Sequence, residues 1–274
     1  NSATCSFTVT VTDAEAPTAV CQNISLHLNG AGNATLTASM VNNGSSDACG
    51  IAGLSINTSS FTCANVGPNS IVLTVSDVNG NTSTCTSVVT VVDSIDPVAT
   101  CQNITVHLNN GGAATVIAAM INNGSSDVCG IASLTLNNGS FGCANVGPNS
   151  VTLTVTDVNG NSSTCTSVVT VIDSVDPTAV CQNVTVQLNS LGNGSTTAAA
   201  VNNGSSDACG IQSLSLSQSA FVCAEVGANT EVLTVTDVNG NTSTCSTVIT
   251  VQDNIAPVAT CQNVTVQLNN TGNG

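Results

Sequence analysis

The sequence contains no Lys, Arg, Trp or Tyr. Without cations a chain cannot displace the counterions condensed on a phosphate backbone, so nucleic-acid binding is excluded. Attraction to an anionic membrane surface is excluded on the same ground. Two His and fifteen Asp plus Glu leave a formal net charge of −15 on 274 residues. The lack of Trp and Tyr removes the aromatic platforms on which a glycan-cleaving cleft is usually built. With four Phe in the whole chain, the cores must be small and aliphatic. No run approaches the roughly 18 to 20 apolar residues of a membrane-spanning helix, so no membrane insertion is expected in this segment. No nucleophile elbow, phosphate-cradling glycine loop or recurring Ser, His and Asp set is present, and the chain is not expected to be an enzyme.

What the chain has in abundance is repetition. Cys21, Cys101, Cys181 and Cys261 are spaced 80 residues apart, and the same step separates Cys49, Cys129 and Cys209, Cys63, Cys143 and Cys223, and Cys5, Cys85, Cys165 and Cys245. Asn-Asn-Gly-Ser-Ser-Asp recurs at 42, 122 and 202, and Asp-Val-Asn-Gly-Asn at 77, 157 and 237. A period of 80 without insertions suits a small self-contained domain better than a solenoid unit. Three repeats are expected, at 14–93, 94–173 and 174–253. Residues 1–13 align with 81–93 and read as the last strand of a preceding repeat. Residues 254–274 align with 14–34 and read as the first strand of a following one, so the sequence reads as a window on a longer array.

Each repeat reads as antiparallel β structure. Ile24-Ser25-Leu26-His27-Leu28, Val72 to Ser76 and Thr86 to Val91 alternate apolar and polar residues with β-branched side chains dominating, and helical periodicity is missing. Turns are expected at Asn29 to Asn33, Val66 to Asn69 and Asp77 to Asn81. Several short strands per 80 residues predict an all-β fold of tandem immunoglobulin-like sandwiches. The Thr ladders of these strands are their solvent sides. His27 and His107 occupy outward positions that become Gln187 and Gln267, so they are surface residues.

Four Cys per repeat, in small domains poor in aromatic core, point to disulfides and an extracellular, oxidising setting, on a cell surface or in a secreted fibre. Zinc is the competing reading, but its sites usually bring close Cys pairs, and the spacings here are long. Four cysteines allow three pairings. Topology favours Cys21 with Cys85, because one opens the first strand and the other the last, leaving Cys49 with Cys63. The equivalents are Cys101 with Cys165, Cys129 with Cys143, Cys181 with Cys245 and Cys209 with Cys223. Cys5 and Cys261 would pair outside this sequence.

Twelve of the acids fall into three groups, expected to converge where one repeat meets the next: Asp13, Glu15, Asp47 and Asp77; Asp93, Asp96, Asp127 and Asp157; Asp173, Asp176, Asp207 and Asp237. In a sandwich, the loop after the second strand and the hairpin before the last strand both return to the linker. Four carboxylates in a chain without cations repel unless a metal neutralises them. Calcium takes six to eight oxygens in irregular geometry and is the favoured structural cofactor, with magnesium second. The competing reading makes each Asp a turn former. The fourth linker, Asp253-Asn254-Ile255-Ala256-Pro257, lacks the second acid and would form a weaker site.

Candidate glycosylation sites are Asn23, Asn43, Asn103, Asn123, Asn183 and Asn203 in Asn-x-Ser/Thr triplets. Ser94 and Ser174, in Asp-Ser-Ile and Asp-Ser-Val, add O-linked candidates.

The runs Pro-x-Ala-Val/Thr-Cys-Gln-Asn, Ser-Ser-Asp-Ala/Val-Cys-Gly-Ile and Leu-Thr-Val-Thr/Ser-Asp-Val-Asn-Gly-Asn resemble the hyalin-repeat (HYR) family found in large surface proteins of Bacteroidota. The resemblance spans every repeat and implies an immunoglobulin-like fold, extracellular placement and a part in adhesion or surface structure. Combined with the residues, it predicts a stalk or fibre whose partners are neighbouring repeats and other copies of the chain, assembled laterally or head to tail. The alternative is an adhesive module that recognises glycans or a cell-surface partner.

Overall fold

The computed structural model describes all 274 residues. The chain divides into two compact units, one comprising 1–106, 115–140 and 147–170 and the other 107–114, 141–146 and 171–274. The first unit holds the first repeat and most of the second. The other holds the third repeat with the remaining pieces of the second. The fold is all-β, three copies of one sandwich.

In the first repeat the elements are β1 (Ile24–His27), β2 (Asn33–Thr35), the one-turn helix α1 (Ala38–Val41), β3 (Ile51–Ile56), β4 (Ser60–Thr62), a 3-10 turn at Cys63–Asn65, β5 (Gly67–Asp77) and β6 (Thr82–Val92). The second repeat has β7 (Ile104–His107), β8 (Ala113–Thr115), α2 (Ala118–Ile121), β9 (Ile131–Leu136), β10 (Ser140–Gly142), β11 (Gly147–Asp157) and β12 (Ser162–Ile172). The third has β13 (Val184–Gln187), β14 (Asn193–Ser195), α3 (Ala198–Val201), β15 (Ile211–Leu216), β16 (Ala220–Val222), β17 (Gly227–Asp237) and β18 (Thr242–Gln252).

One sheet of the first repeat runs β1-β6-β5-β3, and β2 pairs with β4 in the other. The long hairpin β5–β6 pairs from Gly67 opposite Val91 to Ser76 opposite Thr82. Asp77 to Asn81 closes it, as the turn chemistry predicts. The first and last strands pair in parallel, Ile24 opposite Val89 and His27 opposite Val92, so the sandwich is not wholly antiparallel. Both of these strands therefore run from the linker end of the repeat, here the near pole, toward the opposite end, the far pole. The turn expected at Val66 to Asn69 is instead the start of β5. Pro68 is tolerated there because β3 pairs with β5 only from Leu73 to Asp77, leaving the other edge without a ladder partner. The one-turn helices are too short to leave a period in the sequence.

Alternate residues of β5 and β6 meet Leu26, Leu28, Leu36, Val41 and the single aromatic Phe61 in a core completed by Ile71, Leu73, Val75, Val89 and Val91. The third repeat builds the same core around Phe221. Each such side chain contributes about 1.5 to 3 kcal/mol on burial.

Residues 1–13 and 254–274 form no strand, against expectation, although Val9, Val11, Val264 and Val266 keep the alternating pattern and are exposed. A strand needs a neighbour for its backbone groups. Nothing within these 274 residues does for 1–13 what Gly67–Asp77 does for Thr82–Val92.

Candidate metal centre

Disulfides set the frame. Cys21–Cys85, Cys101–Cys165 and Cys181–Cys245 staple the first strand of each repeat to its last. In the chain-entropy model, closing a loop of this size stabilises a domain by about 4 kcal/mol. The other bridges overturn the expected pairing: Cys63 bonds Cys129 and Cys143 bonds Cys209, each joining one repeat to the next. Cys49–Cys63 and its equivalents Cys129–Cys143 and Cys209–Cys223 do not form, and Cys5, Cys49, Cys223 and Cys261 are free and exposed. The reason lies in direction. Ile51 pairs with Asp77 at the near pole, and Thr62 pairs with Asn33 beside the far turn. The chain from Cys49 to Cys63 thus climbs the height of the repeat without turning back.

At the far pole Cys63 lies against Gly32, whose φ is 72°. A Cβ on Gly32 would lie 2.9 Å from Cys63 Sγ and 3.0 Å from Val128 of the next repeat. Glycine is required on both counts. Gly112 repeats the arrangement with Cys143 and Ala208.

The near pole gathers the acids. Thr18, Val98 and Thr178 in the linkers bridge to Ser46, Ser126 and Ser206, which brings the Ser-Ser-Asp loop back to the linker. One carboxylate oxygen each from Asp93 and Asp127 lies within 4.8 Å of the other and of Cys129 Sγ, and Asp13 with Asp47 and Asp173 with Asp207 repeat the cluster. Cys129 and Cys209 are committed to disulfides, so only the carboxylates can act as charged ligands there. Asp127 Oδ1 accepts N–H groups of Cys129 (2.7 Å) and Gly130 (3.0 Å). Asp93 Oδ1 accepts the Ile95 N–H at 3.1 Å. Asp93 and Asp173 are 6% and 8% exposed, and the Oδ2 atom of each is buried without any hydrogen-bond partner. Such an atom in a chain with no Lys or Arg is a charge with nothing to balance it.

The remaining members of each group stand elsewhere. Asp77, Asp157 and Asp237 do not join the clusters, because both their oxygens serve the β5–β6 hairpin and its equivalents. Asp157 Oδ1 accepts the N–H groups of Asn159 (2.8 Å) and Asn161 (2.9 Å), and Oδ2 accepts Asn161 Nδ2 at 2.8 Å. The same Nδ2 donates to the Asp93 carbonyl at 3.3 Å, so this Asp fixes the hairpin and the hairpin fixes the linker. Burial works to raise the carboxyl pKa of Asp77, Asp157 and Asp237, and donation from Asn side chains and backbone N–H groups overrides it, holding all three below the ordinary value of 3.8. Asp96 lines an adjoining groove of about 350 Å³ with Asp127 and Val128. Asp176 shares such a groove with Asp207, and Glu15 with Asp47. In the first cluster, hydrogen bonding to Asp13, then its charge, raises the pKa of the free Cys49 thiol.

The glycosylation candidates are all exposed. Ser94 and Ser174 meet His27 Nδ1 and His107 Nδ1 at 3.2 and 3.0 Å, and Asn23 accepts the Val88 N–H through Oδ1 at 2.8 Å.

No protein-family model matches the chain, and no curated protein matches it either. Solved tandem-domain structures resemble it weakly. Protocadherin gamma B7 extracellular cadherin domains 1-4 is 13% identical at a TM-score of 0.31, over 73% of this chain and 66% of that one. Mouse cadherin-23 is 12% identical at a TM-score of 0.35, over 87% of this chain and 99% of that one. Sidekick-1 immunoglobulin domains 1-5 is 10% identical at 0.37, over 88% and 60%. Such scores assign neither family nor function, and the fold class stands on the sheet topology itself.

Proposed function

We propose that the chain is a structural shaft, an extracellular stalk or fibre of HYR-like sandwiches whose junctions are clamped by disulfides and stiffened by calcium. The carrying observation is the buried, unpartnered Oδ2 of Asp93 and Asp173 beside the carboxylates of Asp127 and Asp207. A hard divalent cation would balance both charges and accept further oxygens from Asn side chains, backbone carbonyls and water. Asp96 and Asp176, one groove away, add negative potential. Asp77, Asp157 and Asp237 act as hairpin locks in this reading, so the ligand set shrinks from four acids to a central pair with a flanking third.

The bridges Cys63–Cys129 and Cys143–Cys209 support the mechanical part. A covalent tie at the far pole and an ion at the linker restrain a junction at two separate points, so bending requires one of them to yield. Disulfides of this number belong to an oxidising compartment.

The test is thermal unfolding and small-angle scattering of the oxidised chain, in calcium, in magnesium and after chelation. A higher melting temperature and a longer, stiffer particle in calcium is the expected result. Identical curves in all three conditions would remove the metal from the reading and leave a shaft held by disulfides alone.

A further inference from the structure

Each internal junction sets sulfur beside oxygen. Asp93, Asp127 and Cys129 each offer one ligand atom, and these three atoms lie within 4.8 Å of one another. Asp173, Asp207 and Cys209 repeat the group in the next junction. All three members of a group come from one side of the junction, from the linker and the Ser-Ser-Asp loop that the Val98–Ser126 and Thr178–Ser206 bridges hold together. The other side supplies a fourth group, because Cys129 is bonded to Cys63 and Cys209 to Cys143. Two carboxylates and two sulfurs, drawn from two repeats, are therefore gathered at one place in each junction.

The carboxylates are held from behind. Asp127 turns Oδ1 to the N–H groups of Cys129 and Gly130, and Asp93 turns Oδ1 to the Ile95 N–H. Outer bonds of this kind orient a ligating carboxylate. Asp93, 6% exposed, keeps Oδ2 buried without a hydrogen-bond partner, and so does Asp173 at 8%. While the sulfurs are bonded to each other they carry no charge, and the place suits a hard cation. Reduction would turn the donors into two carboxylates and two thiolates, and thiolates select zinc over calcium. Four ligands of this kind fit the tetrahedral preference of zinc. Sequence spacing conceals the set, since Cys63 and Cys129 stand 66 residues apart.

We propose that reduction of the Cys63–Cys129 bridge converts its junction into a zinc site with Cys63, Cys129, Asp93 and Asp127 as ligands, and that the Cys143–Cys209 junction does the same with its equivalent four. The reductant is a small dithiol. Its first thiolate attacks one sulfur of the bridge and expels the other as a thiolate. Its second thiolate attacks the mixed disulfide and expels the remaining protein sulfur, so the bridge gains two electrons and the dithiol leaves as a cyclic disulfide. Zinc takes both sulfurs as thiolates, and any protons they carry pass to the buffer. The ion then replaces the disulfide as the tie between repeats, and a junction whose bridge is open stays clamped. The inference rests on the reading of the carboxylate pair as metal ligands. Calcium is tested on the oxidised chain and zinc on the free thiols, so either can fail alone.

The first experiment needs no reductant. In the full chain, Cys5→Ser, Cys49→Ser, Cys63→Ser, Cys223→Ser and Cys261→Ser leave Cys129 as the single free thiol, with the remaining bridges in place. Cobalt(II), an optical stand-in for zinc, should give the near-ultraviolet absorption of a cobalt–thiolate bond, and zinc should displace it. Asp93→Asn in this variant should weaken cobalt at least about tenfold, no less than loss of an outer partner costs a metal site. Asp253→Asn, at an exposed acid outside the clusters, should leave the affinity unchanged. In the second experiment the parent chain is reduced with dithiothreitol, desalted under argon and alkylated with and without zinc, and each Cys is followed by mass spectrometry. Zinc should slow alkylation of Cys63 and Cys129 at least about tenfold, because a ligated thiolate is withheld from the reagent. Cys5 should react at one rate in both. Absence of the cobalt–thiolate band, an affinity indifferent to Asp93→Asn, or Cys63 and Cys129 left unprotected by zinc would each overturn the proposal.

Discussion

The interior of a repeat and the junction between repeats use the same residue types to opposite ends. Inside, Cys21–Cys85 ties two strands that already pair, and Asp157 spends both oxygens on donors within its own hairpin. At the junction, Cys63–Cys129 ties one repeat to the next, and Asp93 buries an oxygen that nothing satisfies. The hairpin carboxylate is thus satisfied within its own repeat, whereas the junction carboxylate keeps a buried oxygen without a partner. Near-identical repeats can therefore be concatenated without redesign of the core.

The sharpest break in this comparison comes from the within-repeat bridge. Cys101→Ser with Cys165→Ser frees a loop of 64 separation and should cost the second repeat about 4 kcal/mol. Denaturant unfolding should show the loss as a lower midpoint. Cys63→Ser with Cys129→Ser opens a loop of similar length, yet removes a tie between two folds. Its expected signature is loss of coupling, with the first and second repeats melting as separate transitions. If both pairs gave one cooperative transition of equal midpoint, the distinction between interior and seam would fall.

A second test uses sign. Asp173→Asn removes a buried charge that lacks a partner, so in chelator the variant should be more stable than the parent by about 1 to 3 kcal/mol. In calcium that advantage should vanish or reverse, because a site saturated a hundredfold adds about 2.7 kcal/mol that the variant forfeits. Thermal melts of both proteins in both buffers decide it. A variant less stable than the parent in chelator as well would make Asp173 an ordinary turn residue.

Sequence made much of this legible. The 80-residue period, the Cys21–Cys85 pairing and the return of the Ser-Ser-Asp loop to the linker all follow from spacing and strand direction. The partner of Cys63 did not, since it required knowing that residues 50 to 62 rise from pole to pole without reversing. Elimination left Cys49 with Cys63, and what keeps them apart is that β3 and β4 lie in different sheets. Asp77 misled differently. Asp-Val-Asn-Gly-Asn reads equally as a ligand loop or a closed hairpin, and what decides is the second Asn, whose side chain occupies the remaining carboxylate oxygen. The parallel pairing of β1 with β6 leaves no mark on either strand's alternation.

The glycine at the seam offers a smaller effect. Gly112→Ala places a Cβ at φ 69°, 2.8 Å from Cys143 Sγ and 3.2 Å from Ala208, where a left-handed non-glycine residue costs about 1 to 2 kcal/mol. The Gly80→Ala substitution, at φ 93° in an open hairpin turn, carries the backbone strain with no atom of the protein within 4 Å. The difference between the two variants, read as melting temperatures, isolates the contact at the seam. Equal losses would mean that the far-pole turn has room to spare.

The smallest effect expected at neutral pH, and the cleanest in acid, belongs to the hairpin carboxylates. Asp77, Asp157 and Asp237 titrate below 3.8 in the folded chain because Asn side chains and backbone N–H groups stabilise their charged forms. A lowered folded-state pKa means that the unfolded chain takes up protons first. The stability these groups contribute is therefore fully present above about pH 4 and is lost as pH falls through their folded values. Asp157→Asn keeps a side chain of the same shape but cannot receive all three donors, so it should melt lower than the parent at pH 7. The gap should hold from pH 7 to pH 5 and close only as pH falls through the lowered folded-state value, where the parent's carboxyl is protonated too. A gap that persisted undiminished in acid would mean that the loss comes from shape and not from charge, and the hairpin lock would then owe nothing to the ionised form.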